Sequence, residues 1–243
     1  MRTKRRVLRW VIGGLVALVV LAVGGSVIWS QVGVMDAEDG PLAEARANPS
    51  ITIDDAPEGI VLSPADGVSE AGLVFIPGAK VDPWAYVPVL QDVAASGVTV
   101  VITRPWLNLA FFDVRGLDAF TSTVPEIDSW GVGGHSLGGV RACMLASEAD
   151  ALVLFASYCA GEVPDDLAVL SLAGSEDGLS TPEKISEARD LLPTGAVMIE
   201  IAGASHASFG AYGPQSGDGE PTITDAEMRA AVTAPIVELL IAG

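Results

Sequence analysis

Ser129-Trp130-Gly131-Val132-Gly133-Gly134-His135-Ser136-Leu137-Gly138-Gly139-Val140 is the stretch on which the reading of this chain turns. Trp130 and Val132 alternate with small residues, as a strand does. Val140, Cys143 and Met144 follow at helical spacing. Between them Gly134-His135-Ser136-Leu137-Gly138 fits G-x-S-x-G. A serine on a sharp strand-to-helix turn has its hydroxyl exposed, and the flanking glycines let strand and helix approach closely. The turn also opens a helix, so the Leu137 N–H is free to donate to a developing oxyanion.

Working outward, the soluble part alternates short β-rich runs with helical stretches. Expected strands are Ile51–Ile53, Ile60–Leu62, Gly72–Ile76, Val98–Ile102, Ser129–Gly134, Leu152–Phe155, Leu167–Leu172 and Val197–Ile201. Helices are expected over Tyr86–Ala95, Leu117–Thr123 and Leu137–Ser147. Two more open at capping boxes, Ser180 to Glu183 and Thr224 to Glu227. Continuously apolar strands separated by helices imply a mostly parallel sheet covered on both faces. Such a sheet binds ligands at the carboxyl ends of its strands, so the chemistry is sought in the loops that follow them.

A serine needs a base. The chain has two histidines. His135 is in the elbow, with its side chain expected to project away from the hydroxyl, which leaves His206 on the small-residue loop after the last strand. The base needs a carboxylate on the same sheet edge. Asp177, in Gly174-Ser175-Glu176-Asp177-Gly178 after the Leu167–Leu172 strand, is the favoured acid, with Glu176 the alternative. The second oxyanion donor is expected from Pro77-Gly78-Ala79-Lys80, as the N–H of Ala79 or Lys80.

The elbow GHSLG, SEDG after the next-to-last strand and GASHASFGAYGPQ after the last resemble the α/β-hydrolase family from about Gly59 to the end. FIPGAKVDPWAY with HASFGAYGPQ further resembles a small, lidless bacterial subgroup that carries an N-terminal membrane segment. The resemblance implies an α/β-hydrolase fold: an eight-stranded sheet with helices on both faces and Ser-Asp-His catalysis. About ten residues separate the Leu152–Phe155 and Leu167–Leu172 strands, too few for a cap domain. Trp84, Trp106, Phe111, Phe112 and Tyr158 lie near the active edge and are candidates for an acyl or alkyl pocket.

Charge divides the chain. Five of its 13 basic residues are Arg2, Lys4, Arg5, Arg6 and Arg9, and all 31 acidic residues lie beyond residue 35. From residue 10 onward 8 basic residues face 31 acidic ones, a balance of −23. A surface so acidic repels phosphate backbones and argues against nucleic acid. Residues 10–29 carry no charge and are bracketed by Trp10 and Trp29, which fits a membrane span with aromatic interfacial residues. Residues 1–9 are then a cytoplasmic basic tail, 30–50 a stalk and 51–243 an extracytoplasmic domain. A cleaved signal peptide is the alternative.

Two histidines and two separated cysteines give no metal-ligand spacing, and no nucleotide-binding glycine motif is present, so no cofactor is expected. Cys143 and Cys159 are expected as buried free thiols, with a disulfide the alternative outside the cytoplasm. The functional expectation is a membrane-anchored monomer that hydrolyses a small-molecule or lipid ester. Acyl transfer in the envelope and a non-catalytic binding module are the alternatives.

Overall fold

The computed structural model describes residues 2–241. The chain opens with helix α1 (Arg2–Gln31), of which Ile12–Gln31 is long and apolar enough to cross a membrane. Only its end, at Ser30, is buried against the rest of the protein, so it is not a core helix of the domain. Helix α2 (Asp39–Arg46) follows, then strands β1 (Ile51–Asp55), β2 (Gly59–Pro64) and β3 (Ala71–Ile76), helix α3 (Val87–Ala95) and strand β4 (Val98–Thr103). After two 3-10 turns come α4 (Asp118–Thr121), β5 (Trp130–His135), α5 (Leu137–Leu145), β6 (Ala151–Phe155) and β7 (Ala168–Gly174). The last elements are α6 (Pro182–Glu187), β8 (Val197–Ile201) and α7 (Asp225–Ile241).

The eight strands form one sheet in the order β1-β2-β4-β3-β5-β6-β7-β8. β2 runs antiparallel to both β1 and β4, and all other neighbours are parallel. This is the eight-stranded, mostly parallel sheet that the resemblance implies. β3 shows why its sequence is apolar throughout: Leu73 and Phe75 enter one core with α2, α3 and α7, while Val74 and Ile76 enter the other with α4 and α5. Successive side chains point to opposite faces, and both faces here are covered. The edge strand β8 escapes this rule, with Val197, Met198 and Glu200 exposed.

Residues 30–50 are not the free stalk expected from their composition. The Met35 N–H donates to the Lys80 carbonyl and the Asp82 N–H to the Met35 carbonyl, so the segment pairs with the loop after β3. α2 buries Leu42 and Ala45 in the core beside α3. Two apolar residues one turn apart are enough to dock an eight-residue helix, but too few to stand out in an acidic stretch.

The cysteines are also paired rather than free: Cys143 in α5 and Cys159 after β6 form a disulfide. The two elements pack side by side because β5 and β6 are neighbours in the sheet.

Candidate active site

Ser136 sits between β5 and α5 with φ 51° and ψ −122°, a left-handed conformation that costs a non-glycine residue about 1–3 kcal/mol. Hydrogen bonds hold it there. Its N–H donates to the Phe155 carbonyl at 3.0 Å, and its carbonyl accepts from Gly139 N–H at 3.0 Å and from Ser157 Oγ at 2.7 Å. The glycines are required by contact. A Cβ on Gly138 would run into the Ile76 carbonyl oxygen, and one on Gly134 would lie 2.5 Å from the Gly138 carbonyl carbon.

The side chains expected as acid and base, Asp177 and His206, come from the loops after β7 and β8. Asp177 is buried, and its two carboxylate oxygens have separate tasks. Oδ1 accepts from Leu179 N–H at 2.8 Å and Ser180 N–H at 2.7 Å, while Oδ2 lies 2.8 Å from His206 Nδ1. The two backbone donors fix the carboxylate, and the carboxylate fixes the imidazole so that Nε2 is the nitrogen left for chemistry. Among the described residues no hydrogen bond joins His206 to Ser136. Glu176, the alternative acid, faces the Ser175 hydroxyl instead.

His135 is closer to the site than its place in the elbow suggests. Its ring is buried with its centroid 4.5 Å from that of His206. Its Nδ1 lies 2.9 Å from the Tyr86 hydroxyl, which also accepts the Gly78 N–H at 2.9 Å. Burial pushes the His135 pKa well below the usual imidazole value. Repulsion from His206 adds to the effect, and the His206 backbone opposes it only in small part, without completing a hydrogen bond to Nε2. His135 is therefore neutral. Burial also pushes the Tyr86 pKa far up, so its hydroxyl keeps its proton and donates it to His135 Nδ1.

Of the two expected donors after β3, the structure removes one. Lys80 N–H donates to the Asn108 carbonyl at 2.8 Å and is not free for an oxyanion. Among the described residues the N–H groups of Ala79 and Leu137 have no acceptor.

None of the five apolar candidates lines the cavity seen among the described residues. Trp84 is packed on the core beneath the Arg46 guanidinium, 4.5 Å from the ring centroid. Trp106, Phe111, Phe112 and Tyr158 are 49%, 63%, 54% and 38% exposed. That cavity, of about 280 Å³, lies behind the base loop between α3 and α7 and includes none of Ser136, Asp177 and His206.

Sequence reasoning missed Asp218. Its carboxylate accepts the N–H groups of His206 (3.0 Å), Ala207 (2.8 Å), Gly178 (3.1 Å) and Gly219 (2.8 Å), so one side chain ties the base loop to the acid loop. Burial opposes its ionisation, but the four donors outweigh burial and hold its pKa below the ordinary 3.8. The signal was an acid between two glycines, Gly217 and Gly219, whose loop lies against residues 176–178. Asp218→Ala is expected to lower kcat about tenfold by loosening His206, with KM little changed. A carboxylate with a depressed folded-state pKa stabilises above its unfolded value, and that contribution is lost as pH falls through the lower folded one. The variant should therefore lose less stability than the wild type on acidification below about pH 4, by a modest amount because the group is only half-buried. Steady-state hydrolase kinetics and urea unfolding across pH 3–7 check both; an unchanged kcat would remove Asp218 from the site.

The sequence profile of the alpha/beta hydrolase family matches residues 72–230, and the chain belongs to that family. It is a hydrolase in that broad sense. Comparison with curated proteins returns no match.

Proposed function

We propose that the protein is a membrane-anchored serine hydrolase that cleaves an ester outside the cytoplasm. The observation that carries the chemistry is the buried Asp177–His206 pair, 2.8 Å apart, on the sheet edge where Ser136 is held in its strained elbow. Ser136 Oγ attacks the carbonyl carbon. His206 Nε2 takes the proton and returns it to the leaving alcohol, and Asp177 stabilises the imidazolium at Nδ1. The N–H groups of Leu137 and Ala79 receive the oxyanion. Water then repeats the sequence on the acyl-enzyme. His135 stays neutral and does not compete as a base.

The anchor reading rests on the apolar stretch Ile12–Gln31 and on the basic residues before it, which favour the cytoplasmic side. The Cys143–Cys159 disulfide agrees with an oxidising compartment for the domain. A fluorophosphonate probe is expected to label the wild type and not Ser136→Ala. A series of p-nitrophenyl esters then defines the acyl length preferred. Labelling that persists in Ser136→Ala would overturn the nucleophile. Cell fractionation should find the uncleaved chain in membranes, with its domain digested by protease added from outside. A soluble cytoplasmic pool of uncleaved chain would sink the anchor.

A further inference from the structure

The proposed anchor and the proposed nucleophile meet at one loop. Residues Trp106–Val114 fold as two 3-10 turns, Trp106–Asn108 and Ala110–Phe112, with Leu107 and Asn108 both in the left-handed region at φ 59° and 54°. The loop exposes Trp106, Phe111, Phe112 and Val114, the last 75%. The other phenylalanines, Phe75, Phe120, Phe155 and Phe209, are buried. A soluble domain has no reason to gather three of the four exposed aromatic side chains of residues 51–243 in nine residues.

The same loop is wired to the end of α1. Asn108 Nδ2 donates to the Ser30 carbonyl at 3.2 Å. Lys80 Nζ donates to the carbonyls of Trp29 (3.0 Å) and Val32 (3.1 Å) and sits 3.7 Å from the centroid of the Trp29 ring. Lys80 N–H in turn holds the Asn108 carbonyl. The apolar stretch ends at Gln31, so these contacts fix the loop at the level where the helix leaves the hydrocarbon. On its other side the second turn packs against α5, which carries Ser136 at its start, and Lys80 directly follows the free Ala79 N–H.

Charge agrees with this placement. Of the 8 basic residues beyond residue 10, Lys80, Arg104, Arg115 and Arg141 lie at this loop. Arg115 donates to the Arg104 carbonyl, and Arg141 to the Arg115 carbonyl. Among the described residues neither Lys80 nor Arg141 is in an ion pair. Arg104 pairs with Asp55 and Arg115 with Asp113, which leaves Lys80 and Arg141 as the cations this face offers to lipid headgroups.

We infer that the Trp106–Val114 loop seats in the headgroup layer of the bilayer that holds α1, and that the ester reaching Ser136 is an acyl lipid drawn from that bilayer. The inference rests on the anchored-hydrolase reading. Indole and phenyl side chains favour the boundary between headgroups and acyl chains, and an apolar face there strengthens with each side chain buried. The lidless site needs no acyl pocket of its own if the acyl chain stays in the lipid until its ester bond reaches Ser136.

The full chain is reconstituted into vesicles of phosphatidylcholine and phosphatidylglycerol that carry a fluorogenic diacylglycerol, beside a soluble assay with p-nitrophenyl acetate. Phe111→Ser/Phe112→Ser is expected to lower the vesicle rate by about tenfold or more and to leave the acetate rate within about twofold. Brominated lipid should quench a component of the emission that disappears in Trp106→Phe. Equal loss on both substrates, or no loss on either, overturns the proposal, as does acetate hydrolysis without any hydrolysis of the vesicle ester. A chain that floats with vesicles while Trp106 stays unquenched overturns the seating alone. A chain that does not float removes the anchor, and one that hydrolyses neither ester and takes no fluorophosphonate label removes the hydrolase reading; either result takes the inference with it.

Discussion

Ser136→Ala and His206→Ala are each expected to lower kcat by about 10⁴-fold or more, with the protein still folded. The two effects should not add. Once Ser136 is gone His206 has no proton to take, so the double variant should fall hardly further than either single one. Asp177→Asn is the more informative change. Asp177 Oδ1 is held by two backbone N–H groups and Oδ2 meets His206 Nδ1. An amide oxygen can keep one of these contacts, but the amide nitrogen must then face a donor. It presents an N–H either to Nδ1, which favours the wrong tautomer, or to the turn. A loss of about 10³–10⁴ in kcat is expected, with the fold retained. His135→Gln separates the two histidines: it keeps an acceptor for the Tyr86 hydroxyl and should lose far less than His206→Ala. Steady-state kinetics on a p-nitrophenyl ester, with circular dichroism as the fold control, read all five variants. Equal loss in His135→Gln and His206→Ala, both folded, would mean the base has been misassigned.

The elbow and the two members of the Asp177–His206 pair were legible because each sits in a local pattern with a mechanical reason: a glycine-flanked turn, a carboxylate before Gly178, a histidine in small residues after a strand. The strands were legible because burial on both faces leaves little room for polar residues. What stayed hidden depends on partners distant in sequence. Nothing near Lys80 shows that its N–H is taken by Asn108. Nothing near Leu42 and Ala45 shows that they find α3. The role of Asp218 exists only because the loops after β7 and β8 converge on it. The type of the aromatic residues after β4 says only that they are large and apolar. Whether they face inward or outward is decided by the two left-handed residues that turn the loop, Leu107 and Asn108.

Removing the disulfide, by Cys143→Ser/Cys159→Ser, is expected to cost about 3 kcal/mol, the chain-entropy value for a loop of this size, here a sequence separation of 16. For a domain of about 200 residues that corresponds to a drop in Tm of roughly 6–12 °C. The change should also reach the nucleophile. Cys143 is in the helix that Ser136 opens, and Cys159 is two residues beyond Ser157, whose hydroxyl holds the Ser136 carbonyl at 2.7 Å. The cross-link thus clamps together the two segments that keep Ser136 in its strained conformation. Activity of the double serine variant should therefore fall off at a lower temperature than the wild type, in step with the lower Tm. The same bond tests the compartment, because glutathione keeps such pairs reduced in most cytosols. Protein isolated from membranes with rapid alkylation should take up label at neither cysteine until it is unfolded and reduced. Two alkylated cysteines in unreduced protein, or a Tm indifferent to the serine substitutions, would remove both the clamp and the argument it supplies for a domain outside the cytoplasm.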